Sequence, residues 1–306
     1  MSGYDVVLTF YNDYYFINRC IQNINSQTLL PNNLIFVDDG NRDKNLKKRI
    51  RNLLNKKIKL IFISNSTNIK VERSLLKAFK YLKSKYFYLQ GTDDIHYKKF
   101  AFKNIEVLEK NPHVVFTFSN LVINNAINKN KYRIKLSFLK EKYYTSEEIG
   151  KIFQKNQFKI YQNTVMFRSD FFIKNHIFSP KFRRSDYLNS SYFCFLKGCY
   201  FINSYLSEFT YRKKQYGSRI LKDDILIDEL NILKKYKINF YNFFIKNNMH
   251  YDLSIFSILK MLRNKHYNGI SFRWLIRSIK FRIWKMIRFI VSSKILQILF
   301  IFFRKI

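Results

Sequence analysis

The sequence predicts an α/β protein built on a mostly parallel sheet flanked by helices, and a few observations predict it. Short apolar runs alternate with helical periodicities over the first 120 residues, the links between them are short, and acidic pairs sit just beyond two of the runs. Alternation of this kind implies βα units feeding one sheet. Ligands of open α/β sheets bind beyond the carboxyl ends of the strands, so acids placed there mark a candidate crevice.

Taken in order, Val6-Val7-Leu8-Thr9-Phe10 reads as a buried strand, and residues 14–26 then space Phe16, Ile17, Cys20, Ile21 and Ile24 as a helix does. Leu34-Ile35-Phe36-Val37 is a second strand running into Asp38-Asp39-Gly40, and residues 45–55 form a basic amphipathic helix. Residues 58–63 read as a strand, 71–82 as a helix, and Tyr86-Phe87-Tyr88-Leu89 as a further strand, followed by Gly91-Thr92-Asp93-Asp94. A helix over 97–109 stops at Asn111-Pro112, and 114–118 is strand-like again. Beyond Asn120 the pattern loses regularity. Residues 124–142 are polar and basic, a loop or irregular hairpin; 147–153 is a short helix, 164–167 a short strand, 186–196 a helix and 200–211 strand and loop. Helical patterns dominate from Asp223, which places a boundary near residue 220: a main domain over 1–220 and a helical extension over 221–306.

Composition sets the wider bounds. A 47% hydrophobic content with 32 Phe and 22 Tyr supplies ample core, and seven Gly with three Pro argue against a disordered or repetitive chain. The net charge of +35 makes polyanions natural partners: anionic lipid, nucleotide phosphates or nucleic acid. Cys20, Cys194 and Cys199 make no disulfide framework and no zinc-ligand spacing, which fits a reducing cytoplasm. The N-terminus enters a strand directly, with no secretory-signal pattern.

The C-terminal tail differs in kind. After Asp252 there is no acidic residue but twelve Lys or Arg. Between Ser271 and Ile290, apolar residues such as Leu275, Ile279, Ile283 and Ile287 follow helical spacing, with Arg273, Arg277, Lys280 and Arg288 on the other side and Trp274 and Trp284 among them. This suits a basic amphipathic helix lying in the interface of an anionic membrane. Residues 295–303 are apolar but far short of the ~20 residues a spanning helix needs. A helix packed on the main domain with a solvated basic face is the other reading of this stretch.

The two acidic pairs carry the chemistry. Clustered carboxylates repel unless a cation or hydrogen-bond donors satisfy them, so the crevice is expected to hold a metal and a ligand bearing donors. The residues around the pairs also resemble a known family. Val7-Leu8-Thr9-Phe10-Tyr11-Asn12, Ser26-Gln27-Thr28 and Phe36-Val37-Asp38-Asp39-Gly40 look like the opening of family 2 glycosyltransferases, with Glu72-Arg73-Ser74 in the place of that family's A-R-N element and Gln90-Gly91-Thr92-Asp93-Asp94 in the place of its D-x-D or x-D-D motif. The resemblance covers about the first 220 residues. It implies the GT-A fold, Rossmann-like, and an inverting transfer of sugar from a nucleotide sugar.

Residue by residue, the resemblance implies that Asp94 ligates Mn²⁺ or Mg²⁺ and that Asp93 contacts ribose or sugar. Asp39 would accept a hydrogen bond from the base, typically uracil, with Thr9 and Tyr11 lining the same pocket, and Arg73 would pair with the diphosphate. Gly91 stands where the family's commoner form has a first acid. Ser185-Asp186-Tyr187-Leu188, with Leu196-Lys197-Gly198 after it, is similar to the stretch carrying the family's catalytic base, which makes Asp186 the candidate that deprotonates the acceptor hydroxyl. The alternative role for Asp186 is a helix N-cap, and for Arg73 an exposed helix arginine. Asp38 ranks below Asp39, as an acid capping nearby backbone. Gln162-Asn163-Thr164 through Arg168 resembles the strand before the acceptor region, and Tyr211-Arg212-Lys213-Lys214 falls where the family often has Y-R-x-H.

The expected function is thus a metal-dependent glycosyltransferase of the hexosyl class, using a nucleotide sugar, by resemblance a UDP-sugar. Its acceptor would be a glycan or lipid-linked hydroxyl in surface polysaccharide synthesis, and the enzyme would sit peripherally on the inner face of the cell membrane. The rivals are a catalytically inactive relative serving as a membrane scaffold, and a basic nucleic-acid-binding protein. The second lacks any recognised motif, and acids in the crevice oppose it, so no nucleic-acid partner is expected.

Overall fold

The computed structural model describes residues 2–41, 43–156, 158–182, 185–212 and 223–247. The chain divides into two compact units, residues 1–220 and 221–306.

The first unit is built on a ten-stranded sheet. Strands β1 (Tyr4–Phe10), β2 (Asn33–Asp38), β3 (Lys59–Ser64) and β4 (Tyr86–Gln90) pair in parallel in the order β3-β2-β1-β4. Helices α1 (Tyr14–Asn25), α2 (Leu46–Leu53) and α3 (Val71–Phe79) connect them. The remaining strands are β5 (Ile95–His96), β6 (Phe116–Asn125), β7 (Asn130–Ile134), β8 (Lys142–Tyr144), β9 (Met166–Arg168) and β10 (Cys199–Tyr211). The short β9 runs antiparallel to both β4 and β6, and β10 runs parallel to β6. Six strands, β1 to β4 with β6 and β10, therefore point the same way and end at one edge.

Burial explains why these segments fold as they do. The parallel strands are covered on both faces, so they read as continuous apolar runs rather than alternating ones. On one face, Tyr4, Val6, Leu8, Phe10, Phe36 and Tyr88 pack with Ile17, Cys20, Ile21 and Ile24 of α1 and with α2 and α4 (Phe100–Lys110). On the other, Phe87 and Phe167 meet Phe79 of α3, Phe172 of α6 (Ser169–Asn175) and Phe193 of α7 (Ser185–Lys197), with ring centroids 4.6–6.1 Å apart. This aromatic cluster fixes α7, the helix carrying Asp186. At the opposite edge of the sheet from the acidic pairs, buried Asp5 accepts from the Lys83 and Ser84 amides, the Ser84 hydroxyl and Asn33 Nδ2 at 2.6–3.0 Å. Both of its oxygens are thus bonded within the fold, which gives it a structural role.

Several details differ from the sequence expectation. The polar stretch after Asn120 resolves into a β6–β7 hairpin followed by β8, and its outer strand β7 is almost wholly exposed, so no burial pattern marks it. Residues 162–164 form a 3-10 turn ahead of β9, and α6 and β5 were not expected. The segment 199–211 is one long strand whose register shifts between Ile202 and Ser207 break the two-residue period. Helix α5 (Ser146–Lys155) begins with a capping box in which the Thr145 hydroxyl accepts from the Glu148 amide and Glu148 returns a bond to the Thr145 amide.

In the second unit, α8 (Asp223–Tyr236) and α9 (Ile238–Lys246) pack on one another, with Leu230, Leu233, Phe240 and Phe244 buried. No helix among the described residues is long and apolar enough to cross a membrane. The basic amphipathic stretch at 271–290 lies outside the described residues, as do Lys213 and Lys214.

Candidate active site

The common carboxyl-terminal edge of β1, β2, β4 and β10 gathers the polar groups. Register sets their level: Phe10 pairs with Asp38, and Leu8 with Gln90, so Asp38-Asp39 and the Gly91–Asp94 loop stand at similar height two strand spacings apart, about 10 Å.

Asp94 is the most perturbed acid. Burial, and next the Asp93 charge beside it, push its carboxyl up to about 8, against weaker relief from the Thr210 amide, Arg19 and Arg212. Its Oδ1 accepts from the Thr210 amide at 3.1 Å, and its Oδ2 has no hydrogen-bond donor among the described residues. Gly91 makes this arrangement possible: a Cβ there would stand 2.7 Å from Asp94 Oδ2, so any larger residue displaces the carboxylate. The departure from the family pattern at position 91 thus has a steric counterpart.

Asp93 is raised by burial, and the Arg212 charge opposes that rise. Arg212 Nε donates to Asp93 Oδ2 at 2.7 Å, while Arg212 Nη2 reaches both oxygens of Asp13 at 3.0 and 3.1 Å. The Thr92 hydroxyl donates to Asp13 Oδ2 at 2.7 Å, and the Thr210 hydroxyl to the Asp93 carbonyl at 2.6 Å. Arg19 donates to the same carbonyl at 2.7 Å, and the Phe16 ring lies near both guanidiniums, 5.2 Å from Arg19 and 4.8 Å from Arg212. The end of β10 is therefore locked to the loop after β4.

Asp39 is built differently. Its Oδ1 accepts from Asn65 Nδ2 and the Ile69 amide, each at 2.9 Å, and Asn65 is braced by the Ser74 hydroxyl and Lys77 Nζ. Two fixed donors on one oxygen leave Oδ2 available to a ligand. Asp38 is occupied: Asn41 donates to its Oδ1 through both amide groups, and Asn41 also accepts from the Asn12 amide, holding Asn12 at φ 56°. That is the capping role considered for Asp38. Thr9 is half-buried near the end of β1, and Tyr11 just beyond it is exposed.

Two expected residues stand apart from this cluster. Arg73 lies exposed in the first turn of α3 with no polar contact among the described residues. Asp186 is the second residue of α7, inside the helix rather than capping it; it is half-buried, and its carboxylate has no hydrogen bond or ion pair among the described residues. A chain of side chains connects its neighbourhood to the acidic loop. Lys159 Nζ lies 5.5 Å from the rings of both Tyr187 and Tyr161, and Tyr161 packs on Phe209, adjacent to Thr210.

Sequence reasoning missed Asp13, Thr210 and Arg19 and gave Arg212 no role. Asp13 follows Asn12 directly, so an acid one residue past the first strand motif was the available signal. The pairing of Asp13 with Arg212 spans 199 residues and has none.

Among the described residues no three His, Cys, Asp or Glu side chains cluster closely enough to hold a metal alone. The donor set nonetheless fits Mg²⁺ or Mn²⁺, which bind through one or two carboxylates together with substrate phosphates. Asp94, buried, raised and with one oxygen free, is the ligand such an ion would relieve.

A mostly parallel sheet with helices on both faces, and acids gathered at its carboxyl edge, defines the GT-A class of glycosyltransferase. The family described as Glycosyl transferase family 2 matches residues 5–172, and the chain belongs to it. Among solved structures, Staphylococcus aureus TarS residues 1–349 in complex with UDP-GlcNAc is similar at 16% identity and a TM-score of 0.60, over 90% of this chain and 79% of that one. The mannosyltransferase PcManGT from Pyrobaculum calidifontis, in complex with GDP-Man and Mn²⁺, is similar at 9% identity and a TM-score of 0.55, over 93% and 81%. At these identities the likeness is one of fold. No curated protein matches the chain.

Proposed function

We propose that this glycosyltransferase moves a hexosyl group, with inversion, from a UDP-sugar to a hydroxyl of a glycan or lipid-linked acceptor in surface polysaccharide synthesis. The observation that carries the reading is the pairing of Asp94, raised and half-coordinated, with the Asp93–Arg212–Asp13 clamp at the sheet edge that also presents Asp39.

In this reading Asp39 Oδ2 accepts the N–H of the base, with Oδ1 pinned by Asn65 and Ile69. Thr9 and Tyr11 line the base and ribose, and Asp93 turns toward the ribose or sugar. Asp94, with Asp93 beside it, would hold Mn²⁺ or Mg²⁺; when bound, the ion supplies Lewis-acid stabilisation to the departing diphosphate. Arg73, on the first turn of α3 just past the loop whose Ile69 amide binds Asp39, would pair with the diphosphate. Asp186 takes the proton from the acceptor hydroxyl as it attacks the anomeric carbon. Binding of GDP-Man and Mn²⁺ by one fold relative and of UDP-GlcNAc by another supports the donor class.

A panel of nucleotide sugars with and without Mn²⁺, scored by thermal shift and nucleoside diphosphate release, tests the reading. A Mn²⁺-dependent response to UDP-sugars is expected; indifference to every nucleotide sugar ends it. The membrane site of action is supported by the basic tail of the sequence. Basic residues near anionic lipid contribute about 1 kcal/mol each. Changing Arg273, Arg277, Lys280 and Arg288 to Gln in the full chain is therefore expected to weaken binding to anionic vesicles at least about a hundredfold. Unchanged co-sedimentation would remove the peripheral-membrane proposal.

A further inference from the structure

Residues 44–59 carry eight Lys or Arg and no acid. Elsewhere in the first unit surface lysines find carboxylates: Lys85 pairs with Glu109, Lys110 with Glu106, Lys142 with Glu148 and Lys151 with Glu147. On α2, Lys47, Lys48 and Arg51 are exposed and make no ion pair among the described residues. Lys47 and Lys48 stand four and three residues before Arg51, spacings at which like charges destabilise a helix. An anionic partner laid against this face relieves that repulsion.

The face is also shaped. Between α1 and α2 lies an open cleft of about 360 Å³, lined by Asn18, Asn45, Lys48, Arg49, Asn52 and Leu53. Arg49 Nη2 donates to Asn18 Oδ1 at 2.9 Å, which holds the guanidinium in the seam between the two helices. Two cations and three carboxamides therefore meet in one depression. None of its lining residues is acidic, and Asp43, the nearest acid in sequence, accepts from the Asn45 amide. The cations suit a phosphate, and carboxamides, which both donate and accept, suit the ester oxygens and hydroxyls around it. Tyr15 stands three residues before Asn18 on α1, on the same side of the helix, and is 89% exposed. Tyrosine is enriched where membrane meets water. Since α1 follows β1 and α2 follows β2, Tyr15 and Asn45 mark the end of this face nearest the acidic loops.

We propose that this cleft binds the phosphate of an anionic phospholipid headgroup and docks the catalytic domain on the membrane through its α1–α2 face. The inference rests on the peripheral-membrane reading above and adds to it a contact in the first unit, separate from the C-terminal tail. One headgroup enters the cleft, its neighbours in the bilayer meet Lys47 and Arg51, and Tyr15 enters the interface beside them. Docking on this face keeps the carboxyl edge of the sheet next to the lipid surface, where a lipid-linked hydroxyl is presented.

The test uses the full chain: wild type, Lys48→Gln with Arg49→Gln, Lys48→Gln alone, and Lys80→Gln with Lys83→Gln. The last removes equal charge from exposed positions at the end of α3, on the opposite face of the sheet. Co-sedimentation is measured with phosphatidylcholine vesicles with and without phosphatidylglycerol, and a single-stranded oligonucleotide serves as the rival polyanion. The wild type is expected to bind the anionic vesicles alone. The double cleft variant should bind them about thirtyfold more weakly and Lys48→Gln about fivefold. The α3 variant should stay within about twofold, since charges more than a Debye length from the lipid are screened. Equal losses for the cleft and α3 variants would reduce the attraction to net charge. A cleft variant that keeps vesicle binding but loses the oligonucleotide would assign the cleft to nucleic acid. Either result overturns the proposal. Lys48→Gln leaves the Arg49–Asn18 bond intact and decides the matter if the double variant melts lower. A wild type that ignores anionic vesicles ends the peripheral-membrane reading and this inference with it; binding that survives both cleft variants ends this inference alone.

Discussion

Changing Asp186 to Asn is expected to lower the rate of sugar transfer about 10²- to 10⁴-fold, the usual contribution of a general base, while donor affinity stays within about twofold of wild type. The substitution keeps the shape of the side chain and removes only its capacity to take a proton. It should leave the fold intact, because the Asp186 carboxylate makes no hydrogen bond or ion pair among the described residues, and α7 is held by Phe193 against Phe167 and Phe172. The rival role is electrostatic: an acid in the first turn of a helix interacts favourably with the helix dipole, typically by about 0.3–1 kcal/mol. That role predicts a small loss of stability and an unchanged turnover. Turnover with saturating donor and acceptor, measured beside the melting temperature, separates the two. A variant turning over at the wild-type rate removes Asp186 from the chemistry.

How much of this site the sequence displays depends on how local each interaction is. Strands β1, β2 and β4 are legible because both faces are buried, which leaves uninterrupted apolar runs such as Leu34–Val37, each ending where the chain turns polar. Asp39, Asp93 and Asp94 follow directly from those strand ends. Asp38 could be suspected of a local structural task, and its bonds to Asn41, three residues on, are of that kind. The clamp is not legible. Arg212 reaches Asp13 and Asp93 only because β10 runs parallel to β6, and that pairing is tertiary. The turn at Gln162 escapes for a similar reason. A pair of amides in sequence looks like any solvated loop, and only the packing of four elements around it shows that its polar atoms are buried without hydrogen-bond partners among the described residues. The hairpin strand β7 hides in the opposite way, since exposure erases the alternation that would announce it.

The second large effect belongs to Asp94, and it has a pH signature. The unfolded chain gives up the Asp94 proton near the ordinary value of about 3.9, whereas burial and the neighbouring Asp93 keep it on the folded chain up to about 8. Between those values the folded state binds more protons, so rising pH favours unfolding. The stability that protonated Asp94 contributes is complete below about pH 4 and is lost as the pH climbs toward 8. In Asp94→Asn this slope should vanish, and the difference in melting temperature between variant and wild type should widen in the variant's favour as pH rises without added cation. A divalent ion reverses the balance, because it must displace the same proton to bind. With UDP present, the affinity of the wild type for Mn²⁺ is expected to rise about tenfold per pH unit from pH 6 toward 8, and Asp94→Asn should lose both that rise and sugar transfer. Titrations of both proteins with Mn²⁺ at pH 6, 7 and 8 read this directly. Equal Mn²⁺ affinities for the two, or a wild-type affinity flat across that range, would place the ion on other groups and leave Asp94 as a buried acid whose carboxylate accepts from the Thr210 amide.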